Sequence, residues 1–184
     1  MITYATAKSR SDLNQILKLQ KANLKSSISL EEYKKEGFVT LEHDIKLLEE
    51  LNAPYAHIIA KDGLKVIGYA LVTIPEKISS IPFLQATIEE LRDVEYHQNK
   101  VLDLKYFIMG QVCIDKSCRG QGIFQGLYQK MKDEMKSDFE IIITEIETNN
   151  KRSMRAHEKV GFEILKTHRE SDADWVIVGL NLCA

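Results

Sequence analysis

The sequence predicts a single α/β domain in which helices are spaced along one sheet, and three observations predict it. At roughly 150 residues per domain, a chain of 184 residues makes one unit better than two. Apolar runs of strand length alternate with segments of helical periodicity from end to end. No low-complexity linker or internal repeat divides the chain, which holds only three prolines and nine glycines.

Ile2 to Ala7 reads as a short first strand. Ser11 stands where an N-cap belongs, ahead of Leu13, Ile16 and Leu17 at helical spacing, and that helix ends near Ala22. Within Ser26 to Lys35, Ser29 and Glu32 have the spacing of a capping box, and Gly37 interrupts the helical run. A helix from Thr40 keeps Leu41, Ile45, Leu48 and Leu51 in period until Pro54 stops it. Tyr55 to Ala60 and Leu64 to Val72 are apolar and β-rich, and Lys61-Asp62-Gly63 between them supplies the positive φ of a tight hairpin. Ile81 to Val94 reads as a helix after Pro82, with Asp93 to Lys100 as surface loop. Tyr106 to Ile114 is an apolar strand, and Ile123 to Met135 an amphipathic helix carrying Leu127 and Met131. Phe139 to Ile146 reads as a buried strand and Asn149 to Val160 as a helix stopped by Gly161. Phe162 to Leu165 and Trp175 to Leu182 are the last two strands.

Composition removes several classes of function. Twenty-five Lys and Arg against 27 Asp and Glu leave a net charge of −2, so the basic field of a nucleic-acid partner is missing. The longest apolar runs are strand-sized, short of the roughly 18 residues a membrane helix needs, and the N-terminus lacks the apolar centre of a signal peptide. Cys113, Cys118 and Cys183 are odd in number without a CxxC pair, which argues against a disulfide framework or zinc ribbon and for a reducing cytoplasm. His43, His57, His97 and His168 show no metal-ligand spacing, so no metal is expected.

The turn between Val112 and Phe124 places Arg119, Gly120 and Gly122 between a strand and a helix N-terminus. Without Cβ atoms the backbone N–H groups can converge on one concavity, and first-turn amides have no intrahelical acceptor. A phosphate there gains hydrogen bonds and the positive end of the helix dipole, and Arg119 offers a charge-assisted pair. The plainest reading of two glycines is a tight strand-to-helix turn. A dinucleotide fingerprint fails on spacing: the glycines run 120, 122 and 126, five residues separate Ile114 from Gly120, and too little chain follows Val160 for a second half. No GxxxxGK[ST] occurs either.

The same stretch resembles the acetyl-CoA pyrophosphate loop of the GNAT superfamily of N-acetyltransferases, [QR]-x-x-G-x-[GA] after a strand ending L/V-x-V. Arg119 and Gly122 match the first and fourth positions, and Gly120 lies in its frequent place between them. Phe124 departs from the sixth position, where Gly or Ala is usual. Asn150-x-x-Ser153-x-x-x-His157-x-x-x-Gly161-Phe162 is similar to the family's second signature, N-x-x-[AS]-x-x-x-Y-x-x-x-G-F, at every spacing. The two motifs cover about Leu104 to Leu165, and the first half agrees only in element order.

The resemblance implies one GNAT-like domain over residues 1–184, a mixed, mainly antiparallel sheet flanked by helices, and splayed strands at an acyl-CoA site. It implies acetyl-CoA as donor and a primary amine of a small molecule or protein as acceptor. Cofactor contacts are implied for the main chain of Val112, Cys113 and Ile114, for Arg119, Gly120, Gln121, Gly122, Ile123 and Phe124, and for Asn150, Ser153 and His157. The amine would attack the thioester directly, with the oxyanion held by a backbone N–H near Val112 or Cys113.

In the family pattern a tyrosine protonates the leaving thiolate, and His157 stands in its place. An imidazolium near pKa 6.5 is a stronger acid than a thiol near 8.5, yet it is only partly protonated at neutral pH. Glu145 and Glu147 share a strand face, and either could bind or deprotonate the amine, Glu145 being taken as the catalytic one, although each also reads as an ordinary carboxylate. Gln111 cannot serve as a base, Tyr106 is a further candidate, and packing explains Cys113 and Cys118, which have no adjacent histidine. Two rivals stand beside the enzyme: an acyl-CoA-binding module without turnover, and a nicotinamide dinucleotide in the turn. Lys25 to Leu51 and Pro75 to Asp103, which would build the acceptor pocket, carry no diagnostic motif, and a homodimer is left open.

Overall fold

The strands of the computed structural model, which describes residues 1–170 and 172–183, form one seven-stranded sheet and a separate two-stranded hairpin. In chain order the elements are β1 (Ile2–Thr6), α1 (Arg10–Lys21), α2 (Leu30–Lys35), α3 (Ile45–Leu51), β2 (Ile58–Asp62), β3 (Lys65–Thr73), α4 (Pro82–Leu91), β4 (Glu95–Tyr96), β5 (Asn99–Lys100), β6 (Tyr106–Ile114), α5 (Ile123–Met135), β7 (Ile141–Glu147), α6 (Lys151–Lys159), β8 (Glu163–Glu170) and β9 (Ala173–Asn181). The large sheet has the order β1-β2-β3-β6-β7-β9-β8 and β4 pairs with β5. Contacts gather into two compact units, neither a continuous stretch of chain: Met1–Val72 with Gln111–Glu134, and Thr73–Gly110 with Met135–Ala184.

In the first unit, β1 runs antiparallel to β2 from Ile2↔Asp62 to Thr6↔Ile58, and β2 runs antiparallel to β3 around Gly63, whose φ is +59°. Leu13, Ile16 and Leu19 of α1 join Leu48, Ile59, Tyr69, Leu71 and Cys113 in one core. Ile16, Leu48 and Ile59 are wholly buried, each contributing about 1.5–3 kcal/mol by leaving water. A polar network lies beside them. Gln20 Oε1 accepts from the His43 backbone N–H, which fixes the amide orientation, so its Nε2 donates to His43 Nδ1 at 2.8 Å and to Gln111 Oε1 at 2.9 Å. Tyr69 Oη donates to Gln111 Oε1 at 2.6 Å, and Gln111 Nε2 donates to the Leu41 carbonyl. Gln111, an amide where a base was sought, thus closes a satisfied buried network.

In the second unit, β6 pairs in parallel with β7 over Tyr106↔Ile141 to Ile108↔Ile143, three of its nine residues. β7 is antiparallel to β9 from Ile141↔Asn181 to Glu147↔Trp175, and β9 is antiparallel to β8. Ile141, Ile143 and Ile177 pack with Leu91, Val94, Tyr96 and Val101. No helix among the described residues is long and apolar enough to cross a membrane.

Several elements differ from the sequence reading. β2 begins at Ile58 rather than Tyr55 and runs through Lys61 and Asp62, so that Gly63 and Leu64 make the turn. The N-cap of α1 is Ser9, not Ser11, because Ser9 Oγ accepts from the Asp12 N–H while the Asp12 carboxylate accepts from the Ser9 N–H. α3 begins at Ile45 rather than Thr40, since Asp44 caps it by accepting from the Leu47 N–H at 2.8 Å. The polar stretch expected as loop forms the β4–β5 hairpin, whose turn residues His97 and Gln98 hold φ of +50° and +69°. β8 runs to Glu170, well past Leu165, because its half-exposed alternation carries polar residues on one side.

Replacing Ser9 by Ala removes the α1 cap. The stability measured by urea unfolding is expected to fall by about 1 kcal/mol at unchanged m-value.

Candidate functional site

The first unit contains the Gly-rich loop. Asp115 anchors its start: the backbone N–H donates to the Ile67 carbonyl at 2.8 Å, and the carboxylate accepts from Lys65 Nζ at 2.8 Å and from both the N–H and Oγ of Ser117. The Lys65 and Ser117 hydrogen bonds hold the Asp115 carboxyl down at about 2. Gly120 and Gly122 then take φ of +80° and +77°, a conformation that costs an L side chain roughly 1–2 kcal/mol. A Cβ on Gly120 would meet nothing within 4 Å, and one on Gly122 only Gln125 Oε1 at 3.9 Å, so the backbone faces open space. The first bond closing α5 runs from the Gly126 N–H to the Gly122 carbonyl at 3.1 Å, and the amides before it precede any intrahelical acceptor.

The side chains around the loop are arranged differently from the expectation. Arg119 is turned inward with its side chain 10% exposed. Its Nε donates to the Ile114 carbonyl, Nη1 to Glu36 Oε2 at 2.5 Å, and Nη2 to Asn23 Oδ1 at 2.8 Å and the Gly37 carbonyl at 3.2 Å. Lys116 pairs with Glu32 on α2 at 2.5 Å. Arg119 therefore braces the loop against the segment after α2, with Glu36 offsetting its charge. Phe124 lays its ring on buried Tyr128, centroids 4.9 Å apart, and its backbone stays in the first turn of α5. Gln121 is exposed, its Nε2 donating to the Ser117 carbonyl, and the Ile123 side chain is buried.

On β6, the Cys113 carbonyl lies 3.4 Å from where a Gly68 Cβ would stand, and the Asp115 N–H bonds Ile67, so odd-numbered positions face β3. Because one residue's N–H and C=O point to the same edge, Val112 and Ile114 present theirs on the other edge. Cys113, expected to offer main-chain contacts with them, turns its own toward β3. Its thiol is buried and burial pushes it up to about 12, far from a reactive thiolate.

The second unit contains the other signature. Asn150 caps α6, Oδ1 accepting from the Ser153 N–H at 3.2 Å. One turn on, His157 is 2% exposed, its ring edge-on to Phe162 at 5.0 Å. Its Nδ1 lies 2.9 Å from the Ser153 carbonyl, which can only accept, so Nδ1 carries the hydrogen; Ser153 Oγ is 3.3 Å away. Burial lowers this imidazole to about 4, leaving it neutral at pH 7. Glu145 accepts from Thr87 Oγ1 at 2.6 Å on Oε2 and from His168 Nε2 on Oε1; burial raises its carboxyl, opposed by both partners. Glu147 is buried on the same strand face. Burial also raises the half-buried Tyr106 phenol, which therefore stays protonated at pH 7.

Thr87, Glu36 and the place of His168 were not foreseen from the sequence, whereas Glu32 forms the expected capping box with Ser29 and also pairs with Lys116. His168 lay beyond the predicted end of its strand, and Thr87 and Glu36 sit on or beside helices without a diagnostic motif. Among the described residues no group of three or more His, Cys, Asp and Glu could hold a metal ion.

The family model for the acetyltransferase (GNAT) family matches residues 16–162. No curated protein matches the sequence. Among solved structures, the ribosomal-protein-S18-alanine N-acetyltransferase of Escherichia coli is 14% identical at TM-score 0.65, over 99% of this chain and 94% of that one. The yncA protein of Salmonella typhimurium, solved with its cofactor acetyl-CoA, is 14% identical at 0.63, over 98% and 94%. An N-acetyltransferase of Staphylococcus aureus Mu50 is 17% identical at 0.62, over 99% of each. At these identities the likeness is one of fold.

Buried neutral histidines make stability depend on pH. Burial lowers His43 to about 4, His57 to about 3 and His157 to about 4, whereas the unfolded chain protonates each near 6.5. Between these values the unfolded state binds more protons, so stability is full above about pH 6.5 and falls toward pH 4. The slope is roughly 1.4 kcal/mol per pH unit for each histidine. Urea unfolding at a series of pH values is expected to show this fall, and His157→Gln to flatten it by about one histidine's share.

Proposed function

Because the chain belongs to the GNAT family of acetyltransferases, we propose that it transfers an acetyl group from acetyl-CoA to a primary amine by direct attack. The observation that carries this reading is the pair of positive-φ glycines at the start of α5, which lie within the family match and leave open space over the backbone. The donor set fits a diphosphate: several amides of Gly120 to Phe124 at a helix N-terminus, where the dipole favours an anion. Arg119 serves here by ordering the loop. Val112 and the Ile114 N–H offer edge groups to the amides of the pantetheine arm, as an added strand would take them, the Ile114 carbonyl being taken by Arg119.

The proton steps fall to the second signature and to β7. As the amide forms, the nitrogen loses a proton and the thiolate gains one. The neutral His157 ring, with Nδ1–H committed to Ser153, has Nε2 as its acceptor atom. In this reading Nε2 takes the proton from nitrogen and passes it to sulfur, so His157 is an acceptor before it is a donor. Asn150 and Ser153 hold the turn that carries the ring. Glu145 takes the earlier proton, from the ammonium form of the acceptor.

We read residues 1–184 as a single acetyltransferase domain, since the family match passes through both compact units. The free thiols of Cys113, Cys118 and Cys183 accord with a reducing, cytoplasmic setting. The acceptor is a small amine or an exposed protein amine.

Gly122→Val is expected to raise the acetyl-CoA Kd at least tenfold by calorimetry without changing the far-UV spectrum, since a branched residue at φ +77° moves the amides. His157→Phe is expected to lower kcat more than it changes that Kd; equal losses would make the ring structural. A thiol-release assay over an amine panel tests the activity itself, and tight acetyl-CoA binding with no transfer would overturn it in favour of a binding module.

A further inference from the structure

α4 lays one face on the sheet of the second unit. Phe83 meets Trp175 edge-on with centroids 5.2 Å apart, Thr87 bonds Glu145, and Glu90 pairs with Lys166 at 2.7 Å, a spacing of four and three residues along one helical stripe. The register places Glu145 level with Ile177 and Lys166, and Glu147 level with Trp175 and His168. Glu145 and His168 thus stand one row apart on the covered face, their side chains 3% and 8% exposed, with His168 Nε2 against Glu145 Oε1.

A carboxylate carried alone into such a place would take up a proton and lose its capacity as a base. Two donors oppose this: the Thr87 hydroxyl, which is neutral, and the His168 imidazole, which can also carry the compensating charge. The remaining charges nearby do not help. Glu170, further along β8, opposes ionisation of Glu145, Glu147 is a second carboxylate on the same strand face, and Lys166 is committed to Glu90.

We propose that His168 is a positioning residue that keeps Glu145 ionised beneath α4, so that Glu145 can accept the proton of the acceptor ammonium. This rests on the reading of Glu145 given above. The ammonium N–H bond breaks and its proton goes to a Glu145 oxygen. The freed lone pair forms the N–C bond to the acetyl carbonyl, the C–S bond breaks, and the second proton lost by nitrogen ends on the thiolate. Thr87 supplies the second hydrogen bond that aims the carboxylate. A purely structural pair would need only the hydrogen bond, whereas this role needs the charge.

His168→Gln separates the two, since the amide keeps an N–H donor and cannot be cationic. The Glu145 carboxyl is followed by 13C NMR in glutamate-labelled protein, assigned with Glu145→Gln, beside kcat/KM across pH. The expected result is a Glu145 midpoint raised by one pH unit or more, the acid limb of kcat/KM moving with it, and an acetyl-CoA Kd within twofold of the parent. Thr87→Val, which removes only the neutral donor, is expected to shift the midpoint less, and it serves as the second variant if His168→Gln unfolds. An unmoved midpoint in His168→Gln, or a larger shift in Thr87→Val, overturns the proposal. A raised midpoint in a protein that acetylates no amine supports the coupling and overturns instead the reading of the site as an acetyltransferase.

Discussion

Two residues at φ of +80° and +77°, Gly120 and Gly122, fix the path of the chain from β6 into α5, and the proposed binding of acetyl-CoA depends on that path. They carry the chain from the end of β6 into α5, whose first intrahelical bond runs from Gly126 to Gly122, and glycine accepts that backbone without strain. Much of the surrounding structure keeps this turn in place. Asp115 pins its start through Lys65, Ser117 and Ile67, and Arg119 ties its middle to Asn23, Glu36 and Gly37. Charge-assisted bonds of this kind are the stronger ones, and here they stiffen the loop.

The second unit uses a different device. Asn150, Glu145, Glu147, His157 and His168 bring polar groups into a unit whose core is built on Ile141, Ile143, Ile177 and Leu91, at positions where water contributes little. Such groups are tolerated only when satisfied: Asn150 by capping α6, His157 by the Ser153 carbonyl, Glu145 by two donors at once. Burial does the chemical tuning, lowering the imidazole and raising the carboxyl, so that the two groups sit away from their ordinary values in opposite directions.

The fold was legible where one residue type has one physical solution. Gly63 turns a hairpin at φ +59°, Gly161 ends a helix at φ +98°, and the run of isoleucines in β7 is a buried strand. It was less legible where near-equivalent caps compete. Ser9 won over Ser11 through the reciprocal bond with Asp12, and Asp44 won over Thr40 through Leu47, outcomes set by a few hydrogen bonds that spacing does not rank. Both signatures were legible as family motifs because backbone chemistry fixes their spacing, and the family match spans them. The partners of Arg119 were not legible, since its type suits a phosphate and a carboxylate equally, and Glu36 lies 83 residues away. His168 and Thr87 meet Glu145 only through β-sheet register and helix packing, which no local pattern encodes.

The proposed acetyl-CoA recognition rests above all on the anion-holding power of the amides at the start of α5. Titrating 15N-labelled protein with coenzyme A and following the backbone amides measures it residue by residue. Gly120, Gly122, Ile123 and Phe124 are expected to show the largest shift changes, saturating together. Saturable binding that leaves these four amides unmoved while others shift would contradict it.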